Sequence, residues 1–135
     1  MEMPTIVHFE IPAHDIERAK GFYNRLFGWK AEKILGRPLE EGPMEYWIFR
    51  TGKEGSGEHV MSGAIMKRMQ PDHSITNYVN VDSVAEYEKK IEKLGGKVKV
   101  PKTEVPGMGW FAICTDTENN TFALWEQKMP PASES

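Results

Sequence analysis

Two stretches of the sequence repeat each other, and this duplication constrains the fold more than any other feature. Residues 44–51 (MEYWIFRT) match residues 108–115 (MGWFAICT), with an aromatic pair and the flanking Met and Thr in common. Two further pairs match in the same order: residues 8–11 (HFEI) with 76–79 (TNYV), and residues 26–28 (LFG) with 93–95 (KLG). The chain is therefore predicted to consist of two similar modules.

Each module contains one predicted helix, marked by a capping residue and an apolar stripe. Asp15 is the expected N-cap of the first helix and Gly28 its end. Ser83 begins the second helix in a capping box with Glu86, and Gly95 ends it. The stripes expected to face the sheet are Ile16, Ala19, Phe22, Tyr23 and Leu26 in the first helix, and Val84, Tyr87, Ile91 and Leu94 in the second.

The other periodic segments predict strands, which gives each module the order strand, helix, three strands. This order predicts an α+β fold of two tandem βαβββ modules, residues 5–67 and 75–127, in a single domain over residues 5–127 with a disordered tail over 128–135. Because one helix covers only one face of each sheet, the bare faces are expected to meet in a curved mixed sheet that forms a cup. Strands are predicted near 5–11, 29–34, 44–51, 60–67, 75–81, 97–100, 109–115 and 121–127.

Composition excludes several classes of function. Seventeen basic and twenty acidic residues give a net charge of −3, so the chain lacks the basic footprint of a nucleic-acid-binding protein. No apolar run approaches the roughly 20 residues of a membrane span. The single cysteine, Cys114, cannot form an internal disulfide, and the first residues do not resemble a signal peptide. A cytoplasmic location is therefore expected.

Three motifs resemble one family. They are IVHFEIP at residues 6–12, FYNRLFGW at 22–29 and DTENNTFALWE at 116–126. With the tandem modules, they make the chain similar to the vicinal-oxygen-chelate superfamily, the group of glyoxalases, bleomycin-resistance proteins and extradiol dioxygenases. The resemblance implies the glyoxalase/bleomycin-resistance fold and a homodimer. Whether the cup forms within one chain or from modules swapped between chains stays open.

The resemblance also implies four positions for metal ligands, on the first and last strand of each module. His8 falls on one, but the matching positions in the second module hold Thr76 and Ala123, and the fourth, within residues 60–66, cannot be assigned from sequence. Only His8 keeps a residue typical of such sites. No cofactor is therefore expected, although a rearranged divalent-metal site from His8, Glu10 and His59 stays open.

Strand alternation predicts which side chains line the cup. Val7, Phe9 and Ile11 are expected to face the first helix, and by the repeat Trp47, Phe49, Phe111 and Ile113 are expected to lie under the helices. Cys114 is expected to face the cup as a structural residue, and His14 and His73 to lie at the surface. The predicted ligand-binding residues are His8, Glu10, Tyr46, Arg50, Thr76, Tyr78, Trp110 and Trp125, with His8 and Glu10 as candidate catalytic groups.

Three hypotheses of function remain. The first is a protein that binds a small aromatic or amphipathic molecule in the cup without the family's metal, because stacking surfaces persist where ligands are lost. The second is an enzyme of the glyoxalase-like lyase or isomerase type, or of the dioxygenase type, with a rearranged metal site or with Glu10 as a general base. The third is a non-catalytic interaction domain.

Overall fold

A computed structural model of the chain describes residues 3–34, 38–39, 42–43, 46–52 and 61–128. The chain divides into two compact units, one of residues Val7–Thr76 and one of residues Met1–Ile6 with Asn77–Ser135. The division falls close to the predicted boundary between the modules. That the modules form one domain over residues 5–127 stays a prediction, and most of the predicted tail, residues 129–135, lies outside the described residues.

The first module has the predicted order of strand, helix and three strands. Its four long strands are arranged β2-β5-β6-β1, with β1 parallel to β6 and antiparallel pairing of β5 with β6 and of β2 with β5. A short antiparallel pair, β3 with β4, was not predicted from the sequence. The elements are β1 (Thr5–Ala13), α1 (Ile16–Phe27), β2 (Lys30–Ile34), β3 (Pro38–Leu39), β4 (Gly42–Pro43), β5 (Tyr46–Arg50) and β6 (Ser62–Lys67).

The second module repeats this order. Its strands are arranged β7-β10-β9-β8, with β7 parallel to β10 and the other neighbours antiparallel. The α+β class and the βαβββ modules are therefore confirmed. The elements are β7 (Thr76–Asn80), α2 (Val84–Lys93), β8 (Lys97–Val105), β9 (Gly109–Thr115) and β10 (Thr121–Gln127).

The helix caps lie where the sequence predicts them. The Asp15 side chain accepts a hydrogen bond from the backbone N–H of Arg18 at 3.0 Å, and Gly28 ends α1 in the left-handed conformation, with φ 80°. The Ser83 hydroxyl accepts from the N–H of Glu86 at 3.2 Å. In the described part of the chain, no helix has the length and apolar character that crossing a bilayer requires.

The apolar stripes are narrower than predicted. In α1, Ile16, Ala19 and Tyr23 pack against Ile11, Phe49 and Ile65 of the sheet, whereas Phe22 and Leu26 are more than half exposed. In α2, Val84, Tyr87 and Ile91 pack against the sheet, whereas Leu94 is 79% exposed. The prediction was wrong for Phe22, Leu26 and Leu94, and Leu94 lies beyond Lys93, the last residue of α2.

Candidate functional site

Three polar side chains meet on the sheet face of the first module that lies opposite α1. The Tyr46 hydroxyl donates a hydrogen bond to Glu10 Oε2 at 2.7 Å and is hydrogen-bonded to His8 Nε2 at 2.9 Å. Glu10 is only 3% exposed and Tyr46 4%, while His8 is half-buried. We call His8, Tyr46 and Glu10 the polar triad.

The sequence places the triad by strand alternation and by one small side chain. Phe9 and Ile11 pack toward α1, which turns His8 and Glu10 to the other face, as predicted. Strand β6 lies between β1 and β5, so the Tyr46 ring has to cross β6 to reach them. Ala64 lies opposite Glu10 on β6 and leaves the space for this crossing.

Apolar side chains border the triad on this face. Tyr46 clusters with Ile48, Ala64 and Met66, all at least partly buried. The buried hydrogen bond between Tyr46 and Glu10 therefore lies beside apolar side chains, which strengthens its electrostatic interaction.

His73 lies within the electrostatic influence of Glu10. It is half-buried, and its Nδ1 accepts a hydrogen bond from the N–H of Met69 at 3.1 Å. Burial lowers the pKa of His73, and Arg68 adds to this, while the Glu10 and Asp72 carboxylates oppose it. His73 was predicted at the surface and is half-buried there, in the turn before β7, where the Glu10 carboxylate acts on its pKa. His14 is exposed, as predicted.

Two other predicted ligand-binding residues of this unit have local partners. Arg50 lies at the end of β5 with a side chain 59% exposed, and it forms an ion pair with Glu32 at 3.2 Å. Thr76 is buried and its hydroxyl donates to the carbonyl oxygen of Ser74 at 3.0 Å. Both contacts are local to the sheet and the turn before β7, and neither assigns a role in binding.

The second module carries an aromatic and aliphatic cluster on the sheet face opposite α2. Its members are Tyr78, Val105, Phe111 and Ala123, with Ile113 and Trp125 partly buried beside them. Tyr78 and Trp125 lie on the predicted face.

The predicted faces of β9 were wrong. Ala112 and Cys114 pack under α2 with Val84 and Leu124, and Phe111 lies on the opposite face. The residue-by-residue match of 108–115 to 44–51 is one position out of step, and a slip of one residue exchanges the two faces of a strand. Apolar side chains occupy both faces of β9, so hydrophobic periodicity could not reveal the slip.

Trp110 is the predicted ligand-binding residue that this correction removes. It lies directly opposite Glu126 on β10, and Glu126 Oε1 accepts a hydrogen bond from the N–H of Val84, the first residue of α2, at 2.9 Å. The Lys102 ammonium lies 3.7 Å from Glu126 Oε1 and 5.0 Å from the Trp110 ring centre. Trp110 therefore lies beside the carboxylate that accepts a hydrogen bond from the first residue of α2. We call the contact of Glu126 with Val84 the anchor of α2.

Cys114 is a buried structural residue. Burial raises the pKa of its thiol to about 11, and Glu88 and Glu92 act in the same direction. Because the thiolate is the reactive form, this thiol is a poor nucleophile at neutral pH.

The residues at the family's metal-ligand positions do not fit a metal ion. The strand register resolves the position that the sequence left open, because Ala64 lies opposite Glu10 as Ala123 lies opposite Tyr78. Both last-strand positions are thus alanine, which has no donor atom, and the Thr76 hydroxyl is a poor ligand for such metals. Among the described residues, no three His, Cys, Asp or Glu side chains are grouped to hold an ion. His59 lies outside the described residues.

A surface groove of about 400 Å³ lies between α2 and β8. Its lining includes Ala85, Glu88 and Val98 and none of the predicted site residues. We assign no function to it.

The chain is similar to known proteins in its N-terminal motif, in its sequence and in its fold. Residues 5–34 match the family described as bleomycin resistance protein-like N-terminal. A glyoxylase-like domain-containing protein of Didymella fabae is 28% identical over 118 residues, which cover 85% of this chain and 88% of that protein. The anthracycline biosynthesis protein DnrV of Streptomyces peucetius is 25% identical over 93% of this chain, and the chain spans only 48% of it.

Solved structures share the fold at low sequence identity. A hypothetical protein of Bacillus halodurans C-125 superimposes with a TM-score of 0.67 at 11% identity, covering 96% of this chain and 98% of that one. A methylmalonyl-CoA epimerase variant of Streptomyces coelicolor, in complex with 2-nitronate-propionyl-CoA, gives a TM-score of 0.64 at 14% identity, covering 92% and 97%. The fold is that of the glyoxalase/bleomycin-resistance group.

The matched motif and the glyoxylase-like relative make the chain similar to bleomycin-resistance-like and glyoxalase-like proteins of the vicinal-oxygen-chelate superfamily, and the solved structures share its fold.

Proposed function

We propose that this protein binds a small aromatic or amphipathic molecule at the sheet face that carries the polar triad, without the metal of its superfamily. The observation that carries this proposal is the burial of Glu10 and Tyr46 in a hydrogen-bonded group among the apolar side chains of Ile48, Ala64 and Met66.

The energetics of the triad support a functional role. Each buried polar group that loses its partner costs about 1–3 kcal/mol, whereas an apolar replacement of similar shape is often neutral or stabilising. Folding alone would be served by apolar residues at positions 8, 10 and 46. A local departure from the apolar pattern is expected at functional sites.

The second module supports the same class of ligand from its own residues. Tyr78, Phe111 and Trp125 lie on the sheet face opposite α2, and aromatic side chains favour flat ligands. Which of these residues contact a ligand is part of the proposal.

A thermal-shift screen tests the proposal. Wild-type protein is mixed with a panel of fused-ring phenols and, separately, with Zn²⁺, Ni²⁺, Fe²⁺ and Mn²⁺. A molecule that binds only the folded state raises the apparent melting temperature. We expect the aromatic panel to contain stabilising compounds, and Glu10→Gln to weaken their effect. Tyr23→Phe is the control, since Tyr23 packs on the α1 side of the sheet. Stabilisation by a metal alone would contradict the proposal.

Catalysis is the second candidate function, and the connection of a carboxylate to an imidazole through one hydroxyl favours it. Such a pair could serve acid–base chemistry of the lyase or isomerase type. Glu10→Gln would then abolish turnover of any substrate found in the screen. Unchanged turnover in that variant would exclude Glu10 as the base.

A further inference from the structure

His73 closes the turn that follows β6. The backbone N–H of Met69 donates a hydrogen bond to His73 Nδ1 over 3.1 Å, and the N–H of His73 donates to the carbonyl oxygen of Gln70 over 2.9 Å. The guanidinium of Arg68 donates to the carbonyl oxygen of His73. We call residues 68–73 the His73 turn.

The contact between Met69 and His73 fixes the protonation state of the imidazole. Because Nδ1 accepts a hydrogen bond, it carries no hydrogen, and the imidazole is neutral with its hydrogen on Nε2. A protonated imidazole is a donor at both nitrogens. Protonation of His73 would therefore place two donors opposite each other, and the hydrogen bond that closes the turn would be lost.

Arg68 makes the closed form of the turn less favourable. Its side chain is half-buried and donates to the carbonyl oxygens of His73 and Pro12, the latter over 3.4 Å. The Nε–H of Arg68 is buried, and it has no hydrogen-bond partner among the described residues. A buried donor without an acceptor is unfavourable, so opening of the turn is favoured by the water that could then reach Nε.

The charged groups around His73 give the sign of the pH dependence. Burial lowers the pKa of His73 most, and the Glu10 carboxylate on β1 raises it. The Arg68 guanidinium lowers this pKa and the Asp72 carboxylate raises it, which leaves it below its ordinary value of 6.5. In an open turn the imidazole returns to water and to its ordinary pKa. The closed turn is therefore fully favoured above pH 6.5 and loses stability as the pH falls below this value.

We propose that the His73 turn is a pH-sensitive switch, closed while His73 is neutral and open when the imidazole takes up a proton. Opening releases the Arg68 guanidinium from the carbonyl oxygen of His73. The switch borders the polar triad, since the Glu10 carboxylate acts on His73. It does not depend on the proposed function, because it rests on contacts within the turn.

Amide hydrogen exchange of the full chain, measured residue by residue with NMR, tests the switch. The protection factor of the Met69 amide compares its exchange rate with that of an unstructured peptide at the same pH. We expect this factor to fall about three- to tenfold between about pH 7.5 and about pH 5.5, where tenfold is the limit for an imidazole with its ordinary pKa in the open turn.

Met108 provides the matched reference amide within the same sample. Its N–H donates to the carbonyl oxygen of Val105 over 2.9 Å, and this acceptor does not titrate. Its protection factor should therefore change less than about twofold over the same range. A Met69 amide that follows Met108, or that is unprotected at neutral pH, would overturn the proposal.

Two asparagine variants separate the switch from a general loss of stability in acid. In His73→Asn, the side-chain Oδ1 can accept from the N–H of Met69 without titrating, so the fall in protection should shrink to less than about twofold. His14→Asn removes an exposed histidine and should keep the wild-type response. An equal fall in the wild type and in His73→Asn would overturn the proposal.

A second measurement needs no variant. Two-bond nitrogen-15 correlation spectra of the wild type distinguish the two neutral forms of a histidine. We expect neutral His73 to carry its hydrogen on Nε2, because Nδ1 is occupied by the N–H of Met69. A hydrogen on Nδ1 at neutral pH would show that the turn is not closed in this way and would overturn the proposal.

Discussion

Gly63 determines how closely β1 and β6 pack beneath α1. It lies directly opposite Phe9, and a Cβ atom at this position would overlap the Phe9 ring. The aromatic side chain thus fills the volume that the glycine leaves empty. Small residues on β6 therefore leave space on both faces of the sheet. Gly63 leaves space for Phe9 on the α1 face, and Ala64 leaves space for Tyr46 on the opposite face.

Replacing Gly63 by alanine should destabilise the protein by about 1–3 kcal/mol, because the added methyl group forces Phe9 out of a packed position. Gly21→Ala is the matched control. The atoms nearest to a Cβ at Gly21 belong to the flexible end of Arg25, at 3.1 Å, and alanine is favoured by about 1 kcal/mol in a helix. Urea unfolding of both variants checks this, and equal effects of the two would contradict it.

Cys114 should make stability depend on pH in the alkaline range. Its thiol has a pKa near 9.0 when unfolded and about 11 when folded. The protonated thiol therefore stabilises the folded state fully below pH 9, and this contribution is lost as the pH rises from about 9 to about 11. Urea unfolding of the wild type and Cys114→Ala across this range should show a steeper loss in the wild type. Parallel curves would contradict the assignment.

At the scale of elements, α2 is held to its sheet by a strand as well as by its own cap. Ser83 satisfies the N–H of Glu86, and Glu126 of β10 satisfies the N–H of Val84. The helix N-terminus thus meets a carboxylate, which its dipole favours. Lys102 lies beside the same carboxylate.

Removing this anchor should be costly. Glu126→Ala is expected to destabilise the protein by about 1–3 kcal/mol, because a partly buried N–H loses its acceptor. Glu126→Gln keeps an acceptor oxygen and should lose less. Thermal unfolding of the two variants gives the comparison. A glutamine variant as unstable as the alanine variant would show that the charge, and not the hydrogen bond, provides the anchor.

The helices and strands were easier to predict from the sequence than the direction in which their side chains point. Caps at Asp15, Gly28 and Ser83 are local interactions, so residues a few positions apart suffice to locate them. The direction of a side chain on β9 depends on strand register. A hairpin and the irregular pairing of β8 with β9 set this register, and both involve residues outside the local sequence pattern. This is why Tyr46 was placed correctly and Trp110 was not.

At the scale of the whole molecule, the duplicated sequence predicted the two modules, and the superfamily motifs predicted their fold. The triad was predicted only as three residues on one face. Its hydrogen bonds depend on Tyr46 crossing β6, and the contribution of His73 depends on a turn that no motif marks. Long-range contacts of this kind are set by tertiary packing and leave no periodic signal.

Homodimerisation stays a prediction from the resemblance. Size-exclusion chromatography with light scattering should give twice the chain mass of 15.4 kDa. A concentration-independent mass of one chain would contradict it.

Binding measured before and after treatment with a chelator tests the central claim most directly. Isothermal titration of 2-naphthol into untreated protein and into protein stripped of metal by chelation should give the same affinity, because the side chains that would hold a cation at positions 64 and 123 are alanine. Binding that disappears on chelation and returns with Zn²⁺, Ni²⁺, Fe²⁺ or Mn²⁺ would contradict the account.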